Sequence, residues 1–593
     1  MSEKYIIGVD AGGTYTDAVL LSGANRHVIA SAKRPTSHHD LSIGMGAAME
    51  AVLLGNDGDI NPINPINPSD VKLVTVSTTL ATNAVVENNH DAVVALIVIG
   101  WSNRMEIPGT AIVRNIPGGH KIDGSEQEEF SLPAIVDVIA RLKGTVDAYA
   151  VCGLMSFVNP AHEQLVAKAI SMIDPKPVFC SHTVSRRAGM KERATTAVLN
   201  ARLLPVMKDF LDGVTSALER LRITAKVAVV RGDATVMPLE DAVVSAASTV
   251  ASGPAATALF GSTALANLGN SVDDQEGAIE DALIVDVGGT TTDVTLLRDG
   301  KPVIAENGLA IGAWVTHVRA VEMFTVGVGG DSHVRYLSAN AVKKTNSNIA
   351  VGPLRVTPIC MAPALQNMDS WLFRPDGGTC LMAVEGDTSN VSSAHKSSIV
   401  PISTDAKKLL QYLRDHGPMD HISASEKLCM ARITLEKAVA QLVHHQLVVE
   451  VGFTPTDALH AAHILDFGDT HQAHKGAEIL AKIMACDVPT AIDAVLHATQ
   501  QRIEDAIVEH VARREVGGNF AGYLQQRRNH SLLRVQVGLA VPMIGIGAAA
   551  RHLLPSVSHS LGTTSAFPPY YEVGNALGAA LLGLDSYANE FTV

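Results

Sequence analysis

Two stretches of this chain gather glycine, threonine and aspartate at one shared spacing. Asp10-Ala-Gly-Gly-Thr-Tyr-Thr-Asp17 and Asp286-Val-Gly-Gly-Thr-Thr-Thr-Asp293 both read Asp-x-Gly-Gly-Thr-x-Thr-Asp. A glycine pair admits positive φ and lets backbone N–H groups approach an anion with no side chain in the way. Threonine hydroxyls add donors, and aspartates can hold a divalent cation. The chemistry that fits is a grip on a nucleoside triphosphate and its metal. Asp10 and Asp286 are the candidate catalytic pair, holding Mg2+ directly or through water. Gly12, Gly13, Thr14 and Thr16, with Gly288, Gly289, Thr290, Thr291 and Thr292, are the candidate ATP phosphate contacts. Asp17 and Asp293 suit turn-closing hydrogen bonds equally well.

Other residues carry weaker signals. Val326-Gly-Val-Gly-Gly-Asp-Ser332 reads as a glycine turn leading into a helix, whose free N–H groups at Gly329 and Gly330 would suit an anion. Asp233 follows a predicted strand and is a candidate to orient water or metal, although a plain loop aspartate is the commoner outcome. His460, His463, His471 and His474 form two i, i+3 pairs, a spacing that can present metal ligands on one helical face. The turn Gly118-Gly119-His120 is a further candidate substrate loop.

The elements that must position these residues follow from the apolar pattern. Tyr5–Val9 and Ala18–Leu21 flank the first glycine pair, and Ala282–Val285 and Val294–Leu297 flank the second, so each motif is the tip of a β-hairpin. Between them alternate a helix at Ile43–Leu54, a strand at Val71–Val76 and a helix starting at Ala81. Strands at Ala92–Ile99, Ala148–Met155 and Lys226–Val230 and helices at Leu132–Leu142, His162–Met172 and Glu192–Leu221 continue the pattern. Residues 340–400 read as long loops. Helices at Asp405–His416, Ser423–Met430 and Leu435–His445, then a strand at Leu447–Gly452, read as a winged-helix-like insert with no basic face, hence a cap or interaction surface. A helical stretch from Gly476 to Arg513, a strand at Leu532–Val537, a turn at Ile544–Ala548 and a helix at Val573–Leu584 complete the chain.

Length and composition bound the function. At 593 residues the chain exceeds one core. Its net charge of −14 argues against general nucleic-acid binding. The cysteines Cys152, Cys180, Cys360, Cys380, Cys429 and Cys486 include no Cys-x-x-Cys pair, which suits a reducing compartment. The most apolar C-terminal stretch, Val535–Ala550, is shorter than the ~20 residues a membrane helix needs. The first strand begins almost at once, so no signal peptide is expected and the reading is cytoplasmic.

The hairpins occur in order with the helix Thr195–Leu203, the turn Gly545-Ile-Gly-Ala548 and the small-residue helix Gly574–Ala580. That order resembles the actin, sugar-kinase and heat-shock ATPase superfamily. Ser77–Ala84, Ser156–Glu163, Glu192–Ala201, Ser252–Ala255, Gly329–Ser332 and Thr454–Ala458 sharpen it. With them the chain resembles the ATP-binding A subunit of the hydantoinase/5-oxoprolinase family. The resemblance implies an α/β fold of duplicated, ribonuclease H-like ATPase domains with the ATP cleft between them and a small, mostly helical insert. The regions would be 1–250, 251–400, the insert 401–455 and 456–593. It also implies an adenine turn at Gly545, Gly547 and Ala548, and a polar substrate loop at Thr79, Thr82 and Asn83, where Thr and Asn equally suit a helix start.

The implied activity is ATP- and Mg2+-dependent hydrolysis of a small-molecule cyclic amide (a hydantoin, 5-oxoproline or related lactam) through a phosphorylated amide. Alternatives are the ATP-binding subunit of a ketone carboxylase, an ATP-driven reactivating or chaperone-like ATPase, and, disfavoured, a small-molecule kinase. A B subunit of the same family is the implied partner, with a homo-oligomer also open; no nucleic acid and no membrane are expected. The chain departs from the family pattern at Asp331, where many members carry a third glycine. It also departs in the insert and in ending soon after Leu584, which puts the B-subunit partnership in doubt.

Overall fold

The computed structural model describes residues 4–37, 40–55, 65–87, 92–103, 105–109, 112–269, 280–311, 313–337, 348–374, 378–384, 402–445, 447–517 and 535–588. The chain divides into two compact units. The first comprises Met1–Asp281, Thr295–Glu322 and Val573–Val593, and the second Ala282–Val294 and Met323–Glu572.

In the first unit, β1 (Tyr5–Ala11) and β2 (Tyr15–Ser22) are the expected hairpin, antiparallel with Asp10 opposite Asp17 and Ala11 opposite Thr16. Strand β3 (Val28–Pro35) continues the meander on β2. Strand β4 (Val71–Thr78) lies parallel to β1 and puts Ser77 level with Asp10. Strands β9 (Lys226–Val230) and β10 (Val236–Pro238) complete the order β3-β2-β1-β4-β9-β10, with β4 and β9 parallel. Three antiparallel strands followed by the parallel β4 and β9, with β10 antiparallel at the edge, is consistent with the ribonuclease H-like arrangement that the resemblance implies.

A second sheet of the same unit holds four parallel strands in the order β6-β5-β7-β8, with β5 at Val94–Ile99, β6 at Ile112–Ile116, β7 at Ala148–Gly153 and β8 at Val178–Cys180. β5 and β7 are buried at every position, as parallel strands covered on both faces must be. Helix α1 (Leu41–Leu54) is capped by Asp40, which accepts from Ser42 N, and stops at Gly55 in the left-handed region. It precedes α2 (Leu80–Glu87), α3 (Leu132–Leu142), α4 (Ala161–Ile173), α5 (Ser181–Val184), α6 (Met190–Leu221), α7 (Leu239–Val244) and α8 (Ser252–Gly269). The short strands β13 (Lys301–Pro302), β14 (Ala310–Ile311) and β15 (Trp314–Val315) belong to this unit too.

The helix Gly574–Ser586 packs on α8 and on the first sheet at very close range. A Cβ at Gly578 would stand 1.9 Å from the Ala256 carbonyl, and one at Gly8 2.1 Å from that of Ala576. Small residues are what let these backbones meet.

The second unit holds β11 (Ala282–Val287) and the start of β12 (Thr292–Arg298), the second hairpin, with β23 (Met543–Ile546) beside β11 and β24 (Ser565–Ala566) next in the sheet; β12 runs on into the Thr295–Glu322 segment. Strand β16 (Met323–Val326) also pairs with β12. The helices Thr470–Met484 and Val488–Glu515 replace the single helical stretch expected, broken where Ala485 turns left-handed. Helices at Thr404–His416, His421–Leu428 and Arg432–His444 bury Leu409, Leu413, Leu435 and Leu442 together with Leu381. The associated sheet runs β19 (Thr357–Pro358), β22 (Val448–Gly452), β20 (Cys380–Ala383), β21 (Met419–Asp420).

Three expectations fail. The turn at Gly327–Asp331 enters a strand, β17 (Ser332–Tyr336), which pairs with β18 (Ile349–Arg355); cross-strand bonding there overrides the glycine-then-helix pattern. β18, β19 and β20 also interrupt the region read as loops. Val535–Val537 form no strand; the strand is Met543–Ile546, which pairs parallel with β11 and was read as a turn because of its glycine. Leu532–Arg534 and most of the 270–280 loop lie outside the described residues. Among the described residues, no helix is long and apolar enough to cross a membrane.

Candidate functional site

At the first hairpin the turn closes by Gly12 N–H donating to the Tyr15 carbonyl at 3.0 Å. Neither Gly12 nor Gly13 has positive φ, contrary to the turn chemistry expected. Glycine is needed for space instead: a Cβ at Gly12 would lie 2.8 Å from the Tyr15 oxygen, and one at Gly13 3.3 Å from Asn83 Nδ2. Asp10 ends β1 almost buried, 4% exposed. Its Oδ1 accepts from Ser77 Oγ at 2.6 Å and its Oδ2 from Asn575 Nδ2 at 3.5 Å. Asn575 is held in turn by the Thr257 hydroxyl of α8. Asp10 is therefore fixed by three separate stretches of the first unit.

Asp17 does different work. Lys33 Nζ stands 2.7 Å from it. Burial pulls the Lys33 ammonium down, but Asp17, with Asp10 and Tyr15 adding, outweighs that and leaves it above the ordinary lysine range. Thr16 is likewise structural: its hydroxyl is buried against Thr36 at 3.0 Å, and Thr36 Oγ1 bonds the Gly12 carbonyl at 2.8 Å. Thr14 stays half-buried at the tip.

The substrate-loop candidates surround this tip. Thr79 N–H donates to the Ala11 carbonyl at 3.3 Å, and Asn83 reaches Gly13. Thr82 turns inward, its hydroxyl accepting from Ala251 N at 2.9 Å. Asp233 Oδ1 accepts from Thr235 Oγ1 at 2.6 Å and faces Arg231 Nε at 3.5 Å, in the turn after β9.

The second hairpin repeats the geometry with different supports. Gly288 N–H donates to the Thr291 carbonyl at 3.0 Å. The Gly329–Asp331 turn is stitched onto it, with Gly330 N on Gly288 O at 3.0 Å and Asp331 N on Gly289 O at 2.7 Å. Gly329 N donates to Ser332 Oγ at 2.9 Å. These N–H groups, expected to be free for an anion, are spent on seating the tip. A Cβ at Gly329 would sit 2.5 Å from Gly288 O, so glycine is what the contact requires. Thr456 bonds Gly330 O through both N and Oγ1, tying the turn to the helix Pro455–Ala461.

Asp286 is half-buried at the end of β11. Gly547 packs on it with φ +89, where a Cβ would meet Val287 O at 2.4 Å and Asp286 Oδ1 at 2.8 Å. Gly547 N–H donates to Tyr571 O at 2.8 Å and Ala548 is exposed. Gly545, by contrast, is buried within β23, where a Cβ would strike Phe567 at 2.4 Å. Thr292 is fully buried with its hydroxyl on Val328 O, whereas Thr290 and Thr291 stay half-buried at the tip. Asp293 accepts from Thr325 Oγ1 at 2.6 Å, and burial pushes its carboxyl up to about 6. The hairpin tips thus keep Asp10, Gly13 and Thr14, and Asp286, Gly289, Thr290 and Thr291, while Thr16, Thr292 and Gly545 serve packing.

The histidine pairs do not converge. His460 is fully buried, Nδ1 against Thr456 O at 2.8 Å and Nε2 accepting from Gly468 N at 3.2 Å. His474 faces Glu478, and His471 is exposed. Around His120, the ring of His162 accepts from Gly119 N at 3.0 Å and stacks on Phe130, so the loop is pinned by its own neighbours.

Two features escaped the sequence reading. Ser77 and Asn575 orient Asp10; Ser77 was reachable by noticing that β1 and β4 end level. Glu163, fully buried, accepts from Gly153 N at 2.7 Å, Ser181 Oγ at 2.6 Å, His182 N at 3.1 Å and His182 Nδ1 at 2.5 Å. Burial raises this carboxyl, but the bonds from His182, Ser181 and Gly153 overcome it and hold it below the usual range. Glu163, Cys180 and His182 offer atoms within 4.8 Å of one another. The carboxylate is already saturated, however, and burial pushes the Cys180 thiol up to about 12, so the cluster is a strut rather than a metal cage.

Two family models match the chain: the hydantoinase/oxoprolinase N-terminal region over residues 6–173 and hydantoinase/oxoprolinase over residues 193–460. The chain belongs to the hydantoinase/oxoprolinase family. It is 28% identical over 357 residues to the caprolactamase subunit alpha of Pseudomonas jessenii, covering 56% of this chain and 48% of that one. It is 28% identical over 384 residues to the acetophenone carboxylase gamma subunit of Aromatoleum aromaticum, covering 58% and 49%. The chain spans about half the length of these relatives. In fold it is similar to nucleotide-free acetone carboxylase, with a TM-score of 0.64, 16% identity and coverage of 98% and 70%. It is also similar to the ATP-dependent caprolactamase of P. jessenii, with a TM-score of 0.56, 20% identity and coverage of 97% and 70%.

Proposed function

We propose that this member of the family hydrolyses a cyclic amide at the expense of ATP, as an ATP-binding subunit. The observation that carries the reading is Asp10 at the tip of a glycine hairpin, oriented by Ser77 and Asn575, with the same hairpin repeated at Asp286. ATP is a substrate here. An amide carbonyl is a poor electrophile because nitrogen donates into it. In the proposed reaction the ring amide oxygen attacks the γ-phosphorus and ADP leaves. Water then adds to the activated carbon, the ring C–N bond breaks with the nitrogen leaving as an amine, and a second water cleaves the acyl phosphate so formed, giving phosphate and the opened carboxylate.

The hydroxyls of Thr14, Thr290 and Thr291 and the backbone at Gly13 and Gly289 bind phosphate oxygens; Ala548 and Gly547 border the adenine. Asp10 and Asp286 are the hard oxygen donors that would hold Mg2+, which would supply charge neutralisation at the phosphoryl group in transfer. Thr79 and Asn83, beside the first tip, are the polar groups for the ring. A partner subunit is proposed because the caprolactamase and acetophenone carboxylase relatives are named as subunits. The reading rests on the family and on this geometry together.

A ketone carboxylase is the second reading, since a carboxylase subunit is as similar as the lactamase one. One assay divides them: phosphate release by the purified chain, alone and with a candidate partner, in the presence of hydantoin, 5-oxoproline, caprolactam, or ketone plus bicarbonate. Release matched one-for-one by ring opening is the expected result. ATP turnover stimulated only by ketone plus bicarbonate favours the carboxylase. Asp10→Asn and Asp286→Asn are each expected to lower turnover by about 100-fold or more, a loss typical of removing a main transition-state charge partner. Full turnover in both removes the phosphate-binding assignment.

A further inference from the structure

The first unit brings a serine, an imidazole and a carboxylate together away from the hairpin. Ser185, directly after α5, is 8% exposed, and its Oγ stands 2.7 Å from His317 Nδ1. Arg187 N–H donates to the same Oγ at 3.3 Å. The tautomer suited to catalysis is the one in which the Ser185 hydroxyl donates to Nδ1. The neutral ring then carries its own proton on Nε2.

Glu192 lies near that nitrogen, across the space over Gly189. Glu192 Oε2 and His317 Nε2 lie 2.7 and 3.2 Å from one point, the place a Cβ would occupy on Gly189, whose φ is +100. Gly189 is thus the residue that leaves room for the pair. The imidazole is anchored by its main chain, His317 N donating to Thr196 Oγ1 at 2.9 Å. Burial holds it below the ordinary histidine range, with Glu192 opposing and Arg187 and Arg193 assisting, which keeps the ring neutral and able to accept a proton.

We propose that Ser185 is an activated nucleophile, with His317 as its general base and Glu192 as a nearby carboxylate whose charge favours the protonated ring. Arg186 stands exposed beside it, while the Arg187 guanidinium donates to the Glu306 carbonyl and faces the Glu306 carboxylate at 3.7 Å. The site therefore takes acyl donors with an anionic leaving group, such as acyl phosphates and aryl esters. Ser185 Oγ bonds to the acyl carbon while its proton passes to His317 Nδ1, and the bond to the leaving group breaks with its electron pair. Water then attacks the acyl-serine, giving up a proton through His317 while the serine oxygen regains one, so that acid and leaving group are the products. The arrangement has the nucleophile–base pair of serine hydrolases, with Nδ1 in the part that Nε2 plays there.

The test uses the full chain without ATP, so it is independent of the nucleotide reading. An alkyl fluorophosphonate is added and the adduct located by peptide mass mapping, with p-nitrophenyl acetate turnover measured in parallel. The expected result is labelling at Ser185, absent in Ser185→Ala, slowed about 100-fold in His317→Gln and about 10-fold in Glu192→Gln. Circular dichroism and Tm verify that each variant is folded. Folded wild-type chain that leaves Ser185 unlabelled overturns the proposal, whatever the variants do. So does an unchanged labelling rate in folded His317→Gln. A lowered Tm in Ser185→Ala beside an unreactive wild type makes the contact a structural tie only.

Discussion

Asp10 shows how much one carboxylate depends on its donors. It is nearly buried, and its two oxygens accept from Ser77 and Asn575. A hydrogen bond to a charged acceptor is worth roughly 1.5–3 kcal/mol, more than a neutral one. Ser77→Ala is therefore expected to destabilise the chain by about 2 kcal/mol in urea unfolding. Because it leaves the carboxylate in place but less fixed, phosphate release should fall by a smaller factor than in Asp10→Asn. Equal losses in the two variants would mean that Ser77 itself touches the nucleotide. Ser185 and His317 sit at the same scale: no periodicity joins residues so far apart in sequence.

At the scale of elements, the hairpins, β5, β7, α3 and α6 were legible because hydrophobic period and glycine punctuation agree there. Helix α8 was not, since Ser252-Gly-Pro-Ala255 begins it and small residues fill it. Its composition follows from packing against Gly574–Ser586, where Gly578 meets Ala256 O. Gly578→Ala, favourable by helix propensity, should instead cost about 1–3 kcal/mol through overpacking, read as a lowered urea midpoint with an unchanged slope. β17 was misread for a related reason, its strand pairing being invisible in one chain segment.

The capping box Thr454–Asp457, which seats Gly330 through Thr456, adds a pH dependence. Burial pushes the Asp457 carboxyl up to about 6, against hydrogen bonds from Cys360, Thr454 and Ile359. A folded-state value above the unfolded one means that the native state holds the proton more tightly. This contribution is full below about pH 4 and fades as pH rises through 6. Relative to Asp457→Asn, the wild type should lose on the order of 2 kcal/mol between pH 4.5 and 7.5. A constant gap in Tm across that range would place the carboxylate as ionised throughout.

For the molecule as a whole, the proposed binding of ATP at the two glycine hairpins would be a property of the native state alone. Unfolding separates Asp10 from Ser77 and Gly547 from Asp286, so ATP has no site on the unfolded chain. Binding must then stabilise by mass action, about 2.7 kcal/mol at a ligand concentration 100 times Kd. For a unit of a few hundred residues that is a Tm rise on the order of 5 °C. On the proposed reading the rise should need Mg2+, grow with the logarithm of ATP concentration, and shrink in Asp10→Asn and Asp286→Asn separately, since the proposal gives each hairpin its own donors. Cyclic amides added without ATP should shift Tm little, and added with a non-hydrolysable ATP analogue they should shift it further. An ATP-induced rise that survives in both aspartate variants would locate the nucleotide elsewhere than at the hairpins.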